Sequence, residues 1–277
     1  MRILLLNQCY PPETAATGQR LADGAAGLAA AGHEVHIICS KGGYGGGRIQ
    51  QACQAPAGVR VHRVAAFKGG RTGAVERLLA WTSYYVIAFW TALRLDRFDA
   101  CLCLTTPPFI GLVGVALKRL RGTRLTLWLM DVWPDVAEEL GTLRPGGLPA
   151  RLFGGIARLI YRHADRIISL GPCMSERLAA RNVPPQKVVE AHNWVPGESV
   201  VPLPFQQAGS TEFAETPARL TVMYSGNMGL AHEFETILDA AAAADEGDDE
   251  IRFHFVGHGK RRSEIEAAVN ERGLSNV

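Results

Sequence analysis

No two of the six cysteines (Cys9, Cys39, Cys53, Cys101, Cys103, Cys173) stand at Cys-x-x-Cys spacing, so the sequence offers no structural metal site of that kind. Four of them sit inside or beside apolar runs, where a reduced cysteine behaves as a small hydrophobe, and this places the chain in a reducing compartment on the cytosolic side. Charge of one sign is lacking too. With 29 Lys+Arg against 27 Asp+Glu the formal net charge is +2, which gives no case for non-specific nucleic-acid binding. A membrane-spanning run is missing: the longest apolar stretch, Ala80 to Leu93, falls short of the ~20 residues a spanning helix needs. The apolar run in "MRILLLNQCYPP" is too short for a secretory signal and reads as a first strand ending in a proline turn. No G-x-G-x-x-G follows that strand, which makes a nicotinamide dehydrogenase the least favoured reading.

What is present is an ordinary globular composition, 47% hydrophobic and 20% charged over 277 residues, enough for one large or two modest domains. Short apolar runs at 2–7, 34–39, 59–64, 99–104, 124–130 and 165–170 alternate with helical patterns at about 17–31, 80–93, 110–121, 149–163 and 175–181. That alternation predicts an α/β fold with a parallel sheet covered on both faces. Residues 193–219, rich in Pro, Gly and Ser with no sustained period, read as an interdomain linker, and "KGGYGGG" (41–47) as a loop. A new βαβ unit then follows, with strands at 220–225 and 251–256, a helix from Glu233 to Ala244 and an acidic loop between. The 73 residues from Phe205 to Val277 hold only two clear strands, fewer than a doubly wound domain of ~100 residues carries. The expectation is a C-terminally truncated version of a longer protein.

Four sites fall at the carboxyl ends of predicted parallel strands, where open α/β sheets place ligands. In "NQCYPPETAATGQR" a Pro-Pro turn leads to Thr17 and Gly18 at a helix start, with Glu13 and Arg20 on either side. Backbone N–H groups there suit anions or sugar hydroxyls, and the same pattern also serves as a simple capping turn. In "LMDVWPDVAEELG" Asp131 follows an apolar strand and Trp133-Pro134 fixes the exit. A carboxylate there can orient or deprotonate an acceptor hydroxyl, or cap the following helix, which Asp135 can do equally well. The third is Ser225-Gly226-Asn227 with His232 and Glu233, and the fourth is Gly257, Gly259, Lys260 and Arg261. Two such turns side by side would suit a diphosphate, whereas a basic run on a helix face is also an ordinary solvated surface. The 80–93 helix, carrying Trp81, Tyr85 and Trp90 and flanked by Lys68, Arg71, Arg77, Arg94 and Arg97, reads as a peripheral membrane contact or as a buried core helix.

The order of "GHEV", "RFDACLCLTTPPFIGLVGVAL", "LWLMDVWPD", "ADRIISLGPCMSERL", "VVEAHNWVP", "VMYSGNMGLAHEFETILDA" and "FHFVGHGKRRSEIEAAV" resembles bacterial glycosyltransferase family 4 over nearly the whole chain. The likeness is to the O-antigen, capsule and exopolysaccharide branch, including fucosamine-transferase-like proteins. It implies a GT-B fold: an acceptor-binding Rossmann-like domain (1–192), a linker (193–219) and the start of a nucleotide-sugar-binding Rossmann-like domain (220–277), with a cleft between. It also implies a retaining, metal-independent transferase of hexosyl or N-acetylaminosugar groups, with no cofactor. The substrates implied are a nucleotide sugar, best guessed as UDP-linked, and a lipid-linked glycan at the inner face of the cytoplasmic membrane.

Carried over by position, Gly18 matches the family's glycine loop near the donor diphosphate. Asp131 lies at or next to the place of a catalytic-site histidine, with Met130 beside it here. Asn193 matches the asparagine of a Pro-Asn-Gly turn, with Trp194 in place of the glycine. Asn227 and His232 stand where many members carry an Arg and a Lys on the diphosphate, so a permanent charge is lost, and Lys260 and Arg261 are the nearest replacements. In the family's usual picture the leaving phosphate helps deprotonate the acceptor, which removes the need for the carboxylate pair that the strand ends lack. The family's E-x7-E segment would lie beyond residue 277, so this chain is expected to be weakly active or inactive. Two alternatives stay open: a non-catalytic acceptor-lipid-binding partner or pseudoenzyme, and a GT-B sugar-nucleotide epimerase.

Overall fold

Runs such as Arg2–Leu6 carry apolar side chains at consecutive positions, and consecutive strand residues point to opposite faces, so both faces must be covered. The computed structural model meets that demand by sending Leu4 and Leu6 into one core and Leu5 into another on the far side of the sheet. It describes residues 1–13, 15–41, 55–67, 73–195, 201, 220–245 and 251–277. The "KGGYGGG" loop after Lys41, Lys68, Arg71, most of the expected linker and most of the acidic loop lie outside these residues.

The chain divides into two units, Met1–Ser199 and Val200–Val277. Unit 1 contains β1 (Arg2–Leu6), α1 (Ala16–Ala30), β2 (Glu34–Ser40), β3 (Val59–Val64), α2 (Ala74–Arg94), β4 (Ala100–Cys103), α3 (Gly111–Arg121), β5 (Arg124–Trp128), α4 (Asp135–Glu139), α5 (Leu148–His163), β6 (Arg166–Ser169), α6 (Pro172–Ala180) and β7 (Val188–Glu190). All pairings are parallel, in the order β3-β2-β1-β4-β5-β6-β7, with Leu4 opposite both His36 and Cys101. The order reverses between β1 and β4, which puts the topological switch point outside their carboxyl ends. Sequence reading missed β7, too short to show a period, and gave no bounds for the helix after Pro134, which is the five-residue α4.

Helices α2, α3, α5 and α6 contribute to the core on one face, where Tyr84 is fully buried and its hydroxyl donates to the Ile38 carbonyl at 2.8 Å. On the other face α1 packs against β1 and β2, leaving beside it an apolar groove of about 510 Å³ lined in part by Leu5, Leu21, Leu102, Trp128, Ile168 and Trp194. Helix α3 approaches β5 closely because Gly114 has no side chain: a Cβ there would sit 2.4 Å from Leu125 Cδ1. Asp165 joins three elements by accepting from Lys118 Nζ at 2.6 Å and from the Leu125 N–H at 2.8 Å. No disulfide joins the five described cysteines, four of which are buried.

Helix α2 begins at Ala74, six residues before the apolar run that announced it, because Val75 to Leu79 continue the helix while facing outward. Of the three aromatic side chains expected on a membrane, Tyr85 is turned inward, its hydroxyl donating to the Pro108 carbonyl and its pKa pushed up by burial. Trp81 lies edge-on to Trp133, with ring centroids 6.4 Å apart. Trp90 does face outward, 54% exposed.

Unit 2 contains β8 (Leu220–Ser225), α7 (Glu235–Asp245), β9 (Ile251–Val256) and α8 (Arg262–Arg272). β8 and β9 pair in parallel, with Tyr224 opposite Phe255. Their core gathers Met228, Phe234, Leu238, Phe253, Ile265 and Leu274.

Candidate active site

The carboxyl ends of β1, β4 and β5 each run into a loop with a cis proline bond, at Pro11-Pro12, Thr106-Pro107 and Trp133-Pro134. The first loop is drawn over the switch point, where the Gln8 N–H donates to the Thr106 carbonyl at 2.7 Å. Beneath it Asn7 is fully buried, its Nδ2 donating to the Cys9 carbonyl at 2.7 Å while Oδ1 has no partner among the described residues. Gly18, on the first turn of α1, is buried against the same loop. A Cβ would stand 3.1 Å from the Cys9 carbonyl carbon and the Tyr10 nitrogen, so the missing side chain lets helix and loop close on each other. That is a requirement of the chain's own backbone, whatever ligand lies nearby. Glu13 is buried in this loop, and Thr17 is half-buried on α1.

Arg20 extends from α1 to an ion pair with Asp23 at 3.5 Å and a hydrogen bond to the Trp194 carbonyl. Trp194 stacks on Trp128 at the end of β5, centroids 5.4 Å apart and planes 17° from parallel. The next residue back, Asn193, directs Nδ2 toward Met130 Sδ at 3.8 Å. The segment expected to open the linker is thus folded onto unit 1 through residue 194. It brings Arg20 and Asn193 to one rim with Met130, the neighbour of Asp131.

Asp131 and Trp133 line a small cavity of about 30 Å³ between the ends of β4 and β5, together with Thr105, Phe109, Leu129 and Tyr161. The cavity wall is mostly apolar, and burial raises the Asp131 carboxyl above its ordinary range. Phe109 sits at φ +65, a left-handed conformation costly for a bulky side chain, and is held there between Trp133 (6.2 Å) and Phe153 (5.5 Å). Neither aspartate caps α4. Pro134 holds the cap position and no side chain bonds to it, while Asp135 pairs with Arg181 at the end of α6. Sequence reading missed Asn7, Thr105, Phe109 and Tyr161. The "TTPPF" segment at the end of a strand beside the switch point carried a usable signal for Thr105 and Phe109.

In unit 2 the turns after β8 and β9 are joined by backbone hydrogen bonds, Gly226 N–H to Val256 O at 2.9 Å, Met228 N–H to His258 O at 2.8 Å and Arg261 N–H to Met228 O at 3.0 Å. This explains both glycines: a Cβ on Gly257, at φ +146, would lie 1.9 Å from Gly226 O, and one on Gly259 would lie 2.1 Å from Met228 O. The Tyr224 hydroxyl bonds to Asn227 O at 2.9 Å and to His232 Nδ1, which fixes the imidazole at the rim. Arg261, one of the residues expected near a diphosphate, has partners of its own in this structure. Its guanidinium forks onto Glu264 at 2.9 and 2.6 Å and lies 5.4 Å from the Phe234 ring centroid; the Glu264 bonds raise its pKa. Lys260, Asn227 and Ser225 are exposed, and Lys260 has no ion pair among the described residues.

Residues 16–194 match the model of the glycosyl transferase 4-like domain. The probable glycosyltransferase WbjE of Pseudomonas aeruginosa is 26% identical over 60% of this chain and 41% of its own length. The putative colanic acid biosynthesis glycosyl transferase WcaI of Escherichia coli K12 is 24% identical over 100% of this chain and 70% of its own length. Among solved structures, Anabaena HepE in complex with UDP and glucose superposes with a TM-score of 0.66 at 12% identity, covering 100% of this chain and 67% of HepE. The chain spans under half of WbjE and about two thirds of HepE. With the domain model matching more than half of its length, the chain belongs to the glycosyl transferase 4-like family and carries the GT-B fold.

Proposed function

We propose that the protein acts as a retaining, metal-independent glycosyltransferase in cell-surface polysaccharide biosynthesis, moving a sugar from a nucleotide donor, UDP-linked, to a lipid-linked glycan. Unit 1 takes the acceptor and unit 2 the donor. The observation that carries this reading is the Asp131 cavity inside the family-matched segment: a carboxyl of raised pKa at the carboxyl end of a central strand, next to the switch point. A carboxylate more basic than an ordinary aspartate accepts a hydrogen bond from a sugar hydroxyl and orients its oxygen for attack. The new bond joins that oxygen to the sugar's anomeric carbon, the bond from that carbon to the diphosphate breaks, and the hydroxyl proton passes to the departing phosphate on the same face. Lys260, with His232 held by Tyr224, offers positive charge and a hydrogen bond to the diphosphate as its charge grows. The complex of HepE with UDP supports a uridine donor, and the naming of WcaI for colanic acid biosynthesis supports a polysaccharide product.

The test is incubation of the protein with a panel of UDP-sugars and an undecaprenyl-diphosphate-linked glycan. Weak transfer from at least one donor, with retention at the anomeric carbon, is expected. Hydrolysis or epimerisation of the donor without transfer would overturn the reading, as would the absence of UDP binding by calorimetry.

A further inference from the structure

Helix α2 is apolar on two faces, and only one of them meets the rest of unit 1. Tyr84, Ala88 and Ala92, four residues apart, are fully buried in the core. On the opposite side of the helix stand Val75, Leu79, Thr82, Val86, Trp90 and Leu93, spaced by four or three residues. At about 3.6 residues per turn that spacing keeps the row on one face. Val75 (71%), Leu79 (51%), Val86 (50%) and Trp90 are exposed, and Leu93 is half-buried at the end of the row. Apolar residues scattered singly over a surface need no explanation, whereas a seam at this spacing along a 21-residue helix is the contact face of a helix pair.

Charge marks the ends of the seam. The charged residues of α2 are Glu76 and Arg77 near its start and Arg94 in its last turn, and none of them has an ion pair among the described residues. Arg94 follows Glu76 by 18 residues, about five full turns, so the two lie on the same flank of the seam. In an antiparallel pair with its two-fold axis near Tyr84 and Tyr85, Val75 meets Leu93, Leu79 meets Trp90 and Thr82 meets Val86. Glu76 of each copy then lies beside Arg94 of the other. A parallel pair would set Glu76 against Glu76 and Arg94 against Arg94, with the two helix dipoles aligned. Residues 78–93 hold no cation to meet a lipid phosphate, and an apolar centre with charge at its rim is the anatomy of a protein interface.

We propose that α2 is the contact of a symmetric homodimer, two copies of unit 1 packed antiparallel along the seam from Val75 to Leu93, with Glu76 and Arg94 paired across both ends. The two-fold axis makes every contact occur twice, so a modest seam gains from each residue in duplicate. The inference is independent of the proposed function, since the pairing needs neither donor nor acceptor.

Sedimentation equilibrium of the full chain tests it, over a range of ~1 to ~100 μM. Wild type is expected to approach twice its 29.9 kDa mass at the upper end. L79S/V86S raises the dimer Kd ~100-fold, because each lost apolar contact is lost twice. E76R or R94E raises it on the order of 10-fold by setting like charges across the flank, and the exchanged variant E76R/R94E returns to within ~3-fold of wild type. Circular dichroism and thermal unfolding confirm that each variant is folded. A monomer throughout the range would overturn the proposal, as would a monomer that sediments with phospholipid vesicles through this seam, or a dimer undiminished in L79S/V86S. Failure of E76R/R94E to recover the affinity lost in the single variants would overturn the antiparallel pairing.

Discussion

The strands β1 and β8 read alike as apolar runs entering a turn, yet the structure treats them differently. Leu5 of β1 is 1% exposed, whereas Val222 and Met223 of β8 are 37% and 48% exposed. β1 lies inside a sheet of seven strands, paired on both sides and with cores on both faces; among the described residues β8 pairs with β9 alone, and one small core serves both strands. Local sequence specifies the strand, and neighbours decide how much water it loses. The turns invert the ranking. Those of unit 2 are the more tightly specified, because the backbones after β8 and β9 touch where Cβ atoms would stand.

The largest effect that would break this comparison lies in those turns. Gly257→Ala puts a methyl group into the Gly226 carbonyl from a left-handed backbone, at a cost of about 4 kcal/mol or more. Loss of hydrogen-exchange protection across 220–277 is expected, with unit 1 still protected. Gly27→Ala on α1, where nothing lies within 4 Å of the new Cβ, stabilises by about 0.5–1 kcal/mol through helix propensity.

Next in size, Leu4→Ala removes a fully buried side chain from the larger core and costs roughly 2–5 kcal/mol in denaturant unfolding. Val222→Ala on the exposed face of β8 stays within ~0.5 kcal/mol. Equal losses in this pair would erase the distinction between the two sheets.

A smaller effect concerns pH. Burial raises the Asp131 carboxyl, so between the ordinary aspartate range and its raised value the folded chain binds a proton that the unfolded chain has released. Stability from this group therefore falls as pH rises through that window. Asp131→Asn removes the fall, so its unfolding midpoint relative to wild type is higher at pH ~7 than at pH ~4. An unchanged difference between the two pH values would show that the carboxyl is not buried as described.

Much of this architecture was legible in the sequence. Six of the seven strands of unit 1 and both of unit 2 lie where β-branched and leucine-rich runs placed them, and the parallel class followed from alternation with helices. β7 escaped because Val188–Glu190 is three residues long, and the true start of α2 escaped because its first turns point apolar residues outward. At the site, Asp131 was legible as a residue at a strand end, Arg20 as one at the start of the helix after the first strand, and Asn193 through the family resemblance. Their grouping was not, since it depends on Trp194 folding back onto Trp128, a long-range contact that no local pattern encodes. The turn glycines were found for a different reason from the one the structure gives. They make room for each other's backbone, and Arg261 pairs with Glu264, a partner only three residues away.

The account rests on Asp131 meeting the acceptor. The direct measurement is the turnover of sugar transfer by Asp131→Asn beside Asp135→Asn, with matched controls for folded fraction. Asp131→Asn is expected to lower kcat by ~10²-fold with the fold intact, the size of a lost orienting contact. Asp135→Asn breaks the Arg181 ion pair and lowers stability without changing kcat per folded molecule. Wild-type turnover in Asp131→Asn, or equal losses in the two variants, would contradict the assignment.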